Sequence, residues 1–164
     1  MEAIVQILDQ QIEVHRHLLE LSLQKRQSII SNDVEQLMQM TQKETRLIRQ
    51  VDQLETERAD AVQSYMRSRN MYVTAAITIQ TLSKIAVKLE EKQSLADRRE
   101  QLLDLIEEIR KANELNQQLI QHSLAYINYS MDLLVDSGEQ DAIYHHPLQE
   151  QAPYRANRMF DRKA

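Results

Sequence analysis

Residues 1 to 137 contain neither glycine nor proline; the one glycine is Gly138 and the two prolines are Pro147 and Pro153. These two residue types are the strongest local breaks in regular structure. A stretch this long without them has few tight turns and no glycine loop to cradle a phosphate or a dinucleotide. The pattern predicts an all-α body over 1–137: an antiparallel bundle of three long helices, with a possible short connecting helix. A flexible tail is expected over 138–164.

The side chains available for a core agree with that reading. Hydrophobic residues make up 42% of the chain but aromatics only 4%, with no Trp and no Phe before Phe160. Leu, Ile, Val and Met must fill the interior, which suits narrow seams between helices. The net charge of −5 belongs to the body. The tail balances Glu139, Asp141, Glu150 and Asp161 against Arg155, Arg158, Arg162 and Lys163. An acidic body disfavours nucleic acid, which needs a basic face to displace counterions. Without cysteine there is no disulfide framework and no thiolate chemistry. The acidic start, Met1-Glu2-Ala3-Ile4, does not read as a secretory leader, and no apolar run reaches the roughly 18 residues of a membrane span. A cytoplasmic protein without membrane insertion is expected.

Periodicity places the helices. Ile4, Ile7, Leu8, Ile12, His15, Leu18, Leu19 and Ser22 recur at three- and four-residue steps, one face of a helix running to about Ile30. Ser31-Asn32-Asp33-Val34-Glu35 then reads as a joint, with Asn32 as N-cap and Glu35 three residues on in a capping box. A second helix follows with Val34, Leu37, Met38, Thr41, Leu47, Ile48, Val51, Leu54, Arg58, Ala61, Val62 and Tyr65 on one face. At 1.5 Å per residue it would reach roughly 54 Å. Residues 68–72 look like a break. The stretch 73–82 is β-branched and nearly uncharged, which leans to strand by propensity. A lone strand has no partner in such a chain, so a short helix or irregular crossover is expected.

From about Ser83 to Val135 the helical pattern returns. Leu102, Ile106, Ile109, Asn113, Asn116, Ile120, Ser123, Ile127, Ser130 and Leu134 form one row, with Leu105, Ala112, Leu115, Leu119 and Tyr126 beside it. The combined face is wide enough to touch two helices. Gly138 stands where a helix stop is expected.

Chemistry-bearing constellations are sparse. His15 and His17 lie about 200° apart on a helix and share no face. His145-His146 lies in the tail with no cysteine in the chain to join it, and no Glu-x-x-His pair of a di-iron bundle occurs. Adjacent acids such as Glu90-Glu91 and Glu107-Glu108 diverge on a helix and read as solvated faces. Neither a cofactor, a metal nor a catalytic set is expected. Asn113 and Asn116 fall inside the seam of the last helix, where Leu or Ile would pack better. They fix register, mark an exposed stretch, or bond a partner helix. In the tail, Tyr154, Met159 and Phe160 are apolar anchors in a polar segment. They belong to an ordinary terminus or to a short docking peptide.

The chain resembles the FlgN family of flagellar type III export chaperones, particularly its Gram-positive branch. The resemblance rests on Leu18-Leu19-Glu20-Leu21 followed by Lys25, on 33–37 (Asp-Val-Glu-Gln-Leu) with Glu44, Leu47, Ile48, Leu54, Glu55 and Arg58, on Asn113 to Ile120, and on the ending Phe160-Asp161-Arg162-Lys163-Ala164. It implies a cytosolic chaperone that keeps the hook-filament junction proteins FlgK and FlgL unpolymerised and delivers them to the export apparatus. It also implies a client-binding region toward the C-terminus: Asn113, Asn116, Leu119, Ile120, Ser123, Ile127 and Leu134, with tail docking through Tyr154, Met159 and Phe160. The alternative is a structural coiled coil or homodimer, in which the last helix pairs with its own copy.

Overall fold

The computed structural model describes the backbone of residues 1–71 and 77–141 and the side chains of 1–71 and 77–135. The described residues form four helices and no strand: α1 Glu2–Ile30, α2 Val34–Ser68, α3 Ile79–Ile85 and α4 Leu89–Asp141. The chain divides into two units, Met1–Leu124 and Ala125–Ala164.

How a glycine-free body turns its corners is visible at two asparagines. Asn32 and Asn70 take the left-handed backbone region, φ 54° and 56°. Asparagine enters that region more easily than other side-chain-bearing residues because its amide bonds locally. At the end of α1, Asp33 N–H donates to the Ser28 carbonyl (2.9 Å) and Asn32 N–H to that of Ile29 (3.2 Å). At the end of α2, Met71 N–H donates to Met66 and Asn70 N–H to Arg67, both at 3.0 Å. Both are Schellman closures, with asparagine where glycine usually sits. The capping box expected at Asn32 is therefore corrected by one residue. Asp33 caps α2, its carboxylate accepting from Gln36 N–H at 2.9 Å. Asn32 cannot cap, because its backbone is committed to ending α1.

Two further boundaries differ from the periodicity. The last long helix does not begin near Ser83. The short helix α3 covers 79–85, capped by the Thr78 hydroxyl, which accepts from Thr81 N–H. An extended Ala86 (ψ 134°) ends it before α4 starts at Leu89. Nor does α4 stop at Gly138; it runs on to Asp141, since one interior glycine costs a helix only about 1 kcal/mol. Tyr72 of the expected break and residues 73–76 of the stretch that leaned to strand lie outside the described residues, as do Tyr154, Met159 and Phe160.

The core of the first unit joins all four helices. Ile4, Leu8 and Ile12 of α1 meet Val62 and Met66 of α2, Leu82 of α3, and Leu95 and Leu102 of α4. A second cluster sets Val14 and Leu18 against Leu54, with Leu47, Val51 and Ile109 at its edge. Full burial of one such side chain contributes about 1.5–3 kcal/mol. An exposed ion pair contributes well under 1 kcal/mol, so these clusters set the fold and the surface charges trim it. Cross-helix bonds give the directions. Ser28 to Gln36 (2.6 Å), Lys25 to Glu44 (2.7 Å) and Gln11 to Glu55 (3.1 Å) descend one helix while climbing the other, so α1 and α2 are antiparallel. Asp9 with Arg98, and Ser22 with Asn113 and Asn116, climb together, so α4 lies beside α1 in the same sense.

Candidate functional site

The α4 residues singled out by the sequence fall into two environments. Asn113 and Asn116 face α1. The Ser22 hydroxyl donates to Asn113 Oδ1 at 3.1 Å, and Asn116 Nδ2 donates to the Ser22 carbonyl at 2.8 Å. Ser22 is fully buried and Asn116 is 5% exposed. A small residue on α1 lets the two backbones approach, and the two amides then close on it from α4. The pairing admits one register, because a shift of either helix leaves buried amide groups unbonded. Asn116 Oδ1 is buried without a hydrogen-bond partner, so specificity here is obtained at some cost in stability.

Lower down, Arg98 holds Asp9 through Nε and Nη2 at 2.8 and 2.9 Å. The separation in sequence is 89 residues at that pair and 94 at Asn116–Ser22. This register brings Ile30, the last residue of α1, level with the end of the first unit. Leu119 and Ser123 are half-buried there, while Leu115, Ile120 and Leu124 are exposed.

In the second unit, the described stretch of α4 exposes apolar side chains over most of its circumference, with Asn128 and Asp132 on the remaining side. Tyr126 is 72% exposed and Ile127 47%. Tyr129, Met131, Leu133, Leu134 and Val135 are exposed as well. Periodicity alone did not single out Tyr129, Met131 or Leu133, because they lie off the row of Ile127, Ser130 and Leu134. The available signal was charge: residues 115–131 contain no Asp, Glu, Lys or Arg, in a chain that is 27% charged. Exposed apolar side chains gathered on one helix, as Tyr126, Ile127, Tyr129 and Met131 are here, mark a surface suited to protein contact.

The polar features elsewhere are structural. Arg58 clamps Glu55, Nε to Oε2 at 2.8 Å with Nη2 on the other oxygen, and its Nη1 donates to the Ile77 carbonyl at 3.3 Å. That pairing holds the Glu55 carboxyl below its ordinary value; partial burial opposes the shift and the Gln11 amide assists it. Arg58 is correspondingly raised by Glu55. The His15 ring bonds to the Gln11 carbonyl at 2.7 Å within its own helix. Among the described residues no cluster of His, Asp and Glu is arranged to hold a metal ion, and no helix is long and apolar enough to cross a membrane.

Comparison with known proteins adds what geometry cannot. The family model described as FlgN protein matches residues 1–151. This chain belongs to the FlgN family. A relative from Bacillus subtilis (strain 168), described as uncharacterized protein YvyG, is 28% identical over 99% of this chain and 98% of its own length. No solved structure matches. FlgN membership supports the flagellar export chaperone reading, a binding activity rather than a catalytic one.

Proposed function

We propose that the chain is a cytosolic export chaperone for the hook-filament junction proteins FlgK and FlgL, keeping them unpolymerised until delivery to the flagellar export apparatus. The observation that carries this reading is the uncharged, solvent-exposed surface of α4 in a FlgN-family chain. An unassembled junction protein presents amphipathic terminal helices, and apolar helix surfaces pair with one another. Client contacts are assigned to Leu119, Ile120 and Ser123 in the first unit and to Ile127 and Leu134 in the second. To these we add Tyr126, Tyr129 and Met131. Asn113 and Asn116, which fix α4 on α1 within the first unit, adjoin Leu119 and Ile120 in sequence.

Within the first unit, the packing of α1, α2 and α4 holds Leu119, Ile120 and Ser123 in place for the client. A dissociation constant from micromolar to somewhat below, about −8 to −10 kcal/mol, blocks self-association yet permits release. The test is calorimetric titration of the full chain with the C-terminal helix of FlgL, and separately of FlgK. Ile127→Asp combined with Tyr126→Asp should weaken binding at least tenfold while leaving the helical circular dichroism unchanged. A wild-type chain that ignores both peptides, or a self-paired dimer indifferent to them, would return the scaffold alternative.

A further inference from the structure

The first unit contains a hollow on residues other than those assigned to the client. Its floor is Gln11 and His15 of α1, and its walls are α2 at Val51, Asp52 and Glu55 and α4 at Leu102, Leu103 and Ile106. The volume is about 560 Å³, and a neighbouring hollow of about 480 Å³ between α3 and α4 shares Ile79, Gln80, Arg99 and Leu103 with it. One end is closed by the start of α3 at Thr78 to Gln80. Leu82 of α3 is buried in the common core. A helix of this same chain thus already packs against the other three at that end of the space. Beyond it, Leu103 and Ile106 remain about half exposed.

The charges around this opening are uneven. Glu55 and Arg58 neutralise each other. Asp52, Glu100 and Asp104 are exposed and enter no ion pair among the described residues, and Arg99 alone opposes them. We infer that this is a fourth-helix slot for a partner protein's cationic amphipathic helix, which would place an apolar stripe on Val51, Leu103 and Ile106 and Lys or Arg beside Asp52, Glu100 and Asp104. The inference does not depend on the client assignment and is tested with different probes.

The test uses two fluorescein-labelled helical peptides of about 18 residues, five turns long. They share a Leu/Ile stripe and are flanked by Lys in one and by Glu in the other. By fluorescence anisotropy the Lys peptide should bind the full chain, with the Glu peptide at least tenfold weaker. Leu103→Ser with Ile106→Ser, which keeps the charge, should weaken the Lys peptide at least tenfold. Asp52→Asn with Asp104→Asn, which keeps the apolar stripe, should weaken it severalfold, and Ile127→Asp should not affect it. The slot is overturned by equal binding of both peptides, by binding that survives the serine pair, or by loss in Ile127→Asp instead. Sedimentation showing a dimer that the serine pair dissolves, with no peptide bound, would assign the surface to a second copy and overturn it too.

Discussion

Asn116 reaches across from α4 and donates to the backbone carbonyl of Ser22 on α1, at 2.8 Å in a buried contact. The same serine's hydroxyl is taken by Asn113. Three side chains thereby decide how the first and last helices align.

Asn116→Ala should lower stability by about 1–2 kcal/mol, one buried hydrogen bond and a small void. Ser22→Val should lower it by about 1–3 kcal/mol, because added methyl groups have no space at a fully buried contact. Urea unfolding followed by circular dichroism measures both. Peptide titration on the still-folded variants should show client affinity within a factor of two of wild type; a tenfold loss in Asn116→Ala would instead place that amide in the client contact.

At the glycine-free corners, Asn32→Gly and Asn70→Gly should change stability by no more than about 0.5 kcal/mol. Alanine at either position should cost about 1–2 kcal/mol, since its Cβ is unfavourable at positive φ and it has no amide to compensate. Thermal melts of the four variants rank them. Equal melting temperatures for glycine and alanine would mean that the corners relax out of the left-handed region.

The cap is separable from the corner. Asp33→Ala should lower stability by about 1 kcal/mol through loss of the bond to Gln36 N–H. Asp33→Ser should recover most of it. The comparison can be made at neutral pH by denaturant midpoint.

Acid should act in part through Glu55. Its folded value lies below the ordinary 4.5, so the stabilisation is complete above that ordinary value and is lost as pH falls through the lower, folded one. Glu55→Gln should therefore be less stable than wild type near pH 7, and the gap should close in strong acid. Urea midpoints at a series of pH values test this, and a gap independent of pH counts against the Arg58 clamp as the cause.

The tail is tested by removing residues 142–164. If Tyr154, Met159 and Phe160 cover the client surface when it is empty, the shortened chain should bind the FlgL peptide more tightly or self-associate more readily. Loss of client binding would make the tail part of the binding site.

Much of the first unit was legible because buried helices repeat. The α1 face from Ile4 to Ser22 appears in the structure as read, with Ile4, Leu8, Ile12, Leu18 and Ser22 buried. The first half of α2 reads equally well and behaves otherwise: Val34, Met38 and Ile48 are exposed. Periodicity reports which residues share a face, not whether another helix covers it. The cap shifted from Asn32 to Asp33 because both residue types can cap, and only backbone geometry reveals which is already needed to end the preceding helix. Asn113 and Asn116 stood out by their polarity in an apolar seam. That they close on Ser22 required the α1–α4 register, a relation across some ninety residues that local pattern cannot carry.

That long-range pairing has a consequence for how the chain is made. The α1–α2 hairpin is complete in sequence by Ser68, but Arg98, Asn113 and Asn116 emerge from the ribosome much later. At synthesis rates of about 5–20 residues per second, Ile4, Leu8 and Leu18 wait several seconds with one neighbour in place and the other still unmade. During that interval the nascent hairpin is itself a sticky intermediate. Loss of the late Ser22–Asn116 lock should therefore appear in the cell as lower yield of soluble chain before it appears as weaker binding.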